Sequence, residues 1–296
     1  MNRLHGLVCA MITPMTEHFE IDLDSTAVFC DYLAKAGVHC LYPNGTNGES
    51  LLLQENERKA IAQKIQEENR QRCVLYIQCG AVTPEETYAH VRHAAQIGAD
   101  GAGIMTPVFF LIDDKATKQY YETIMHELPD FPIYIYNIAF RSGIDVPPQL
   151  FGELMDRHPN LHGIKFSSAD LLRVEEYIAC SQKRKPDVLI GNDALALCCL
   201  AVGGAGYVSG PGAAFPEQYA SIYNAYAAGE FEAAQIAQQR VLQIMKRLRG
   251  IPEIPAIKYL LWKKDIIKTP VCRKPFRELD TCEKKQLDDL LGYVKS

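Results

Sequence analysis

The sequence predicts a (β/α)8 TIM barrel with extra C-terminal helices, on three observations. Eight short apolar runs recur along the 296 residues, each followed by turn residues and a helix-like segment. Most of these runs are near-continuously apolar rather than alternating, as expected of parallel strands covered on both faces. No G-x-G-x-x-G follows the first run, which disfavours the alternative, a doubly wound open sheet.

In order, the predicted strands lie in GLVCAMITP (6–14), VHCLYPNG (38–45), CVLYIQCG (73–80), GAGIMTP (101–107), FPIYIYN (131–137), LHGIKFSS (161–168), DVLIGND (187–193) and AGYVSG (205–210). Amphipathic stretches such as ENERKAIAQKIQEEN (55–69) and PEETYAHVRHAAQIGAD (84–100) lie between them. The second opens on a Thr-Pro-Glu-Glu start and stops at Gly98, a good pair of helix-end signals. After the eighth run come PEQYASIYNAYAAGE, FEAAQIAQQRVLQIMKRLRG, IPAIKYLLWKK and EKKQLDDLLGYVKS. One of these completes the eighth unit and the others overrun it. The expected organisation is therefore a barrel over 1–229 and a helical appendage over 230–296 packed on it, with no Gly-, Ser- or Pro-rich linker between.

Composition narrows the function classes. Hydrophobic residues make up 48% and charged residues 23%, with a formal net charge of −5, an ordinary globular balance. The basic stretches QKRKP (182–186) and LWKK read as solvated helix ends, so no nucleic-acid partner is expected. The ten cysteines are scattered, without any C-x-x-C, and several of them read as small core hydrophobes. No signal peptide or membrane span is expected, and reduced thiols point to the cytoplasm.

In such a barrel the site lies at the C-terminal ends of the strands. Reading those ends gives Thr13, the loop Asn44–Glu49, Cys79–Gly80, Thr106–Pro107, Tyr136–Asn137, Lys165–Ser168, Asn192–Asp193 and Ser209–Gly210. Lys165 is the odd member, an amine between Ile164 and Phe166. Buried without a partner it would be costly, so it either points to solvent or does chemistry. The ring holds no histidine and no clustered carboxylates, so neither a metal nor another cofactor is suggested. One amine, a phenol on the adjacent strand and a Gly-framed loop do suit Schiff-base chemistry. An unperturbed lysine is neutral in only about one molecule in a few thousand at pH 7, and an apolar site raises that fraction. A neighbouring tyrosine can shuttle protons, and loop N–H groups can hold the carboxylate of a 2-keto acid.

At GTNGES, YNIAFRSG and GIKFSSAD together, the sequence resembles the dihydrodipicolinate synthase/N-acetylneuraminate lyase family of class I pyruvate aldolases, over nearly the whole chain. The resemblance implies a homotetramer of barrels in which Lys165 forms the Schiff base with pyruvate and Tyr136 is the acid/base phenol. It implies that Gly45, Thr46 and Asn47 hold the pyruvate carboxylate, with Thr46 also relaying protons to Tyr136. Arg141 matches the arginine with which the synthase branch holds its second substrate's carboxylate. The remaining candidate substrate-binding residues are Asp193 and, in the eighth run, Val208.

Four departures bear on the branch. Phe109 stands where the synthases carry a tyrosine lent across a subunit interface, and Asn47 replaces a hydroxyl residue. The sialic-acid lyases place an Asp-Glu pair where this chain has Asp193-Ala194, and a serine where it has Gly210. The expected activity is thus carbon–carbon cleavage or formation of a 2-keto acid from pyruvate and an aldehyde, one bearing a carboxylate near Arg141. Alternatives are the 4-hydroxy-tetrahydrodipicolinate synthase, N-acetylneuraminate lyase and 2-keto-3-deoxy sugar acid dehydratase reactions, or a pyruvate-binding sensor without turnover.

Other features take plainer readings. GGAGYVSGPG (203–212) could cradle a phosphate but more simply lets strand eight close the barrel. His90 and His93 read as a solvated helix face, and Asp193 could cap the following helix instead of facing substrate.

Overall fold

The computed structural model describes residues 2–295. Eight parallel strands form a closed barrel in sequence order, the last pairing with the first through Gly6–Gly206 to Cys9–Ser209. The chain runs β1 (Gly6–Ala10), α1 (Leu23–Lys35), β2 (Cys40–Tyr42), α2 (Glu55–Asn69), β3 (Val74–Gln78), α3 (Pro84–Gln96), β4 (Gly101–Met105) and α4 (Asp114–Glu127). It continues through β5 (Ile133–Asn137), α5 (Ala139–Ser142), α6 (Pro148–Arg157), β6 (Leu161–Phe166), α7 (Leu171–Ala179), β7 (Asp187–Ile190), α8 (Ala196–Ala201), β8 (Gly206–Ser209) and α9 (Pro216–Ala227). Three helices follow the eighth unit: α10 (Phe231–Leu248), α11 (Glu253–Lys263) and α12 (Thr281–Lys295). Among the described residues, no helix is long and apolar enough to cross a membrane.

Local chemistry sets the boundaries. Helix α2 spans the predicted 55–69, and its start is closed by Gln54 and Glu57 in a reciprocal capping box. Thr83 caps α3 by accepting from the Glu86 N–H, and Gly98 at φ +76° turns the chain out of it. Strand β2 is shorter than the apolar run suggests. Pro43 offers no N–H to the ladder, and Asn44 at φ 59° turns the chain into the site loop.

The barrel interior is filled by interlocking tyrosines and glycines. Tyr42, Tyr76 and Tyr134 project inward with Val8, Cys40, Leu189 and Val208. A Cβ at Gly103 would lie 1.8 Å from the Tyr42 hydroxyl, and one at Gly101 would lie 2.3 Å from the Tyr76 ring. These positions accept only glycine because the rings occupy the space. Outside the strands, a larger apolar layer joins them to the helices, and Cys9, Cys30, Cys73, Cys79 and Cys199 lie within it.

Three sequence expectations need correction or refinement. His90 is buried, not solvated; desolvation and the neighbouring Arg58 guanidinium push its imidazole down to about 3, so it packs as a neutral ring. Arg184 is not a free helix end, since its guanidinium ties the carbonyls of Met155, His158 and Pro159 together. The 203–212 glycines serve close approach: a Cβ at Gly206 would lie 2.4 Å from the Gly6 carbonyl oxygen across the β1–β8 seam.

Candidate active site

Lys165 lies on β6 in direct register with Tyr136 on β5, so both side chains leave the sheet on the same face. Lys165 is only 7% exposed. Its Nζ sits 3.7 Å from the centre of the Tyr136 ring and 5.2 Å from that of Tyr42, so the amine is enclosed by aromatic faces. Both Lys165 and Tyr136 line a cavity of about 690 Å³ at the C-terminal ends of the strands. The lysine therefore points into the site and not to solvent.

Burial pushes the Tyr136 phenol up, but the Lys165 charge and hydrogen bonds with Thr46, Lys165 and Ser167 outweigh it and leave the phenol below its ordinary value. The Thr46 hydroxyl stands 3.4 Å from the Tyr136 hydroxyl. Amine, phenol and secondary alcohol thus form one chain along which a proton can move.

The loop after β2 begins and ends in left-handed backbone, at Asn44 (φ 59°) and Glu49 (φ 58°). The Thr13 hydroxyl holds it from β1 by donating to the Gly48 carbonyl. The N–H groups of Gly48, Glu49 and Ser50 fold back onto Gly45 and Thr46 carbonyls. Those of Gly45, Thr46 and Asn47 take no hydrogen-bond partner among the described residues. Three successive donors beside Lys165 are suited to a carboxylate.

Arg141, on α5, is exposed and also lines the cavity, with its guanidinium 5.4 Å from the Phe140 ring centre. Val208 lines the cavity from β8. Phe109 does not: it is 84% exposed, at φ 76°, beyond the end of β4.

Asp193 does not cap the following helical turn; Asn192 does, by accepting from the Ala194 N–H. The Asp193 carboxyl is instead buried in the cavity wall, with Oδ1 unpartnered. Desolvation raises it to about 7, helped by Glu253 and opposed by Ser209 and Lys165. The folded protein thus keeps a proton that the unfolded chain releases near pH 4. Stability accordingly falls as pH rises from about 4 to about 7, by at most ~4 kcal/mol. Asp193→Asn should remove that slope. Between about pH 5 and pH 8, urea unfolding should show the wild type losing ~2–3 kcal/mol more than the variant. Parallel losses would mean that Asp193 is ionised throughout.

The sequence reading gave no role to several members of the site. Glu49, within GTNGES, is fully buried and paired with Lys258 of α11 at 2.5 Å. Glu253, the first residue of α11, lines the cavity and accepts from Asn47. Both contacts join residues about 200 positions apart, and no local pattern signals them. Ser167 had a signal, two residues beyond Lys165 on the same strand end.

Known proteins resemble this chain along most of its length. The profile described as the Dihydrodipicolinate synthetase family matches residues 3–293. A 4-hydroxy-tetrahydrodipicolinate synthase of Methanoculleus marisnigri is 31% identical over 292 residues, covering 97% of this chain and 98% of the relative. An N-acetylneuraminate lyase of Rattus norvegicus is 34% identical over 210 residues, 70% of this chain and 66% of that one. Among solved structures, YagE, an E. coli K12 prophage protein of the dihydrodipicolinic acid synthase family crystallised with pyruvate, superimposes with a TM-score of 0.93. It is 28% identical and covers 98% of both chains. With the closed barrel, the full-length profile match and relatives of both branches in view, the chain belongs to the dihydrodipicolinate synthetase family.

Proposed function

We propose that this protein is a class I aldolase that uses a Lys165 imine of pyruvate to form or cleave a 2-keto acid. The observation that carries the reading is the enclosure of the Lys165 amine against Tyr136, with Thr46 hydrogen-bonded behind the phenol. In this mechanism the free N–H groups of Gly45, Thr46 and Asn47 bind the pyruvate carboxylate and bring C2 to the amine. Nζ adds to C2, and the Tyr136–Thr46 chain delivers the proton with which the carbinolamine oxygen leaves as water. Loss of a C3 proton gives the enamine. C3 then attacks the aldehyde carbon, the new alkoxide takes a proton from the same chain, and hydrolysis of the imine frees Lys165. The reverse sequence releases pyruvate from a longer keto acid.

Arg141 at the cavity wall supports an aldehyde carrying a carboxylate, since a guanidinium grips one bidentately. The synthase reaction is the second reading, favoured by that arginine, while the exposed Phe109 supplies no hydroxyl to a proton relay. A homo-oligomer belongs to the proposal too: Phe109, Phe110, Leu111 and Phe140 are each 70% or more exposed, an apolar surface that a second copy would cover.

The test is borohydride reduction with pyruvate, followed by peptide mass mapping. A reduced pyruvyl adduct on Lys165 is the expected result. Folded protein without an adduct would put the binding-protein reading in its place.

A further inference from the structure

The wall of the cavity that holds Lys165 contains a pair of polar side chains that the reaction outlined above does not use. Asn47 Nδ2 donates to Glu253 Oε1 at 3.0 Å, linking the loop after β2 to the first residue of α11. Both residues line the Lys165 cavity. Gly210 lies against the pair, and a Cβ there would stand 2.0 Å from Asn47 Nδ2 and 2.5 Å from Glu253 Oε1. A side chain at 210 would have to push the ends of Asn47 and Glu253 aside; here the pair occupies the volume.

A carboxylate only accepts hydrogen bonds, and Asn47 gives one of its two amide N–H groups to one Glu253 oxygen. Glu253 Oε2 has no hydrogen-bond or ion-pair partner among the described residues, and the side chain is exposed at the cavity. That oxygen can accept from donors on the bound molecule. Pyruvate has none, so they must come from the second substrate, and the donor an aldehyde ordinarily carries is a hydroxyl.

We infer that Glu253, held in place by Asn47, is a specificity-determining residue that accepts a hydrogen bond from a hydroxyl on the aldehyde, so that the partner of pyruvate is a hydroxylated aldehyde. The inference rests on the aldolase reading. It adds to the contribution of Arg141, which grips a carboxylate from another part of the wall.

The experiment compares 2,3-dihydroxypropanal with propanal as partners of pyruvate, in the wild type and in Glu253→Ala, Glu253→Gln and Asn47→Ala. A hydrogen bond to a charged group converts to about 10- to 100-fold in kcat/KM. Glu253→Ala should lose that much with the hydroxylated aldehyde and several-fold less with propanal. Glu253→Gln keeps an accepting oxygen and should recover most of the loss, and Asn47→Ala should fall between. Recovery in the glutamine variant also separates recognition from misfolding, which thermal unfolding of each variant checks. Equal losses with both aldehydes would overturn the inference. So would a wild type that forms the pyruvyl adduct on Lys165 yet does not favour the hydroxylated partner. A wild type that forms no adduct overturns the aldolase reading itself, so the two failures are distinguishable.

Discussion

Lys165→Arg should reduce pyruvate-dependent turnover by ~10⁴-fold or more and abolish borohydride trapping, while the protein stays folded. The substitution keeps a cation over the Tyr136 ring, where Lys165 Nζ now lies 3.7 Å from the centre. Electrostatics and packing are therefore largely preserved, and what is lost is a nitrogen able to shed its proton and attack a carbonyl. Lys165→Ala would be a poorer test, because it also empties the space between Tyr42 and Tyr136. Single-turnover assays with an aldehyde panel, alongside circular dichroism, read the outcome. Turnover within about tenfold of wild type would mean that Lys165 only positions substrate.

Glu49→Ala should destabilise the protein by ~3–5 kcal/mol, the largest stability effect expected of any single change at the site. Both partners of the Glu49–Lys258 pair are fully buried, 2.5 Å apart. Removing the carboxylate leaves the ammonium, among the described residues, with only the Val271 carbonyl, at 2.7 Å. It also frees the Arg273 N–H, which donates to Glu49 Oε2. The double change Glu49→Gln with Lys258→Met removes the stranded charge and should recover part of the loss. Urea titrations of the three variants check this, and a single-variant loss below about 1 kcal/mol would show that water reaches the pair. Because Glu49 closes the loop that carries Gly45, Thr46 and Asn47, KM for pyruvate should rise in parallel.

Much of the barrel was legible because its signals are local. The eight apolar runs, the Thr83 cap and the Gly98 stop are decided by neighbouring residues. Where local signals compete, alternatives stayed open or misled. Asn192 and Asp193 are both good caps; the asparagine caps the turn and the aspartate is buried in the cavity wall. His90 has the spacing of a solvated face, yet α2 brings Arg58 up against it. What could not be read at all is the contribution of the chain beyond 230. Glu253 and Lys258 enter the site through contacts with residues 47 and 49, and Gln238 of α10 bonds the Leu197 N–H and the Asp193 carbonyl. Pairings of that range depend on how whole helices dock.

The tyrosine–glycine filling of the barrel has a consequence for how such a site can change over time. With Tyr42 against Gly103 and Tyr76 against Gly101, no side chain can be added to the floor without expelling a ring. Variation there is purged as misfolding before it can be tested as chemistry. The rim is freer: Asn47, Arg141 and Glu253 sit on a loop, a short helix and a helix start, where exchanges reshape the cavity mouth and leave the strands alone. A lineage built on this scaffold would keep its nucleophile and acquire new aldehydes by drift around the mouth.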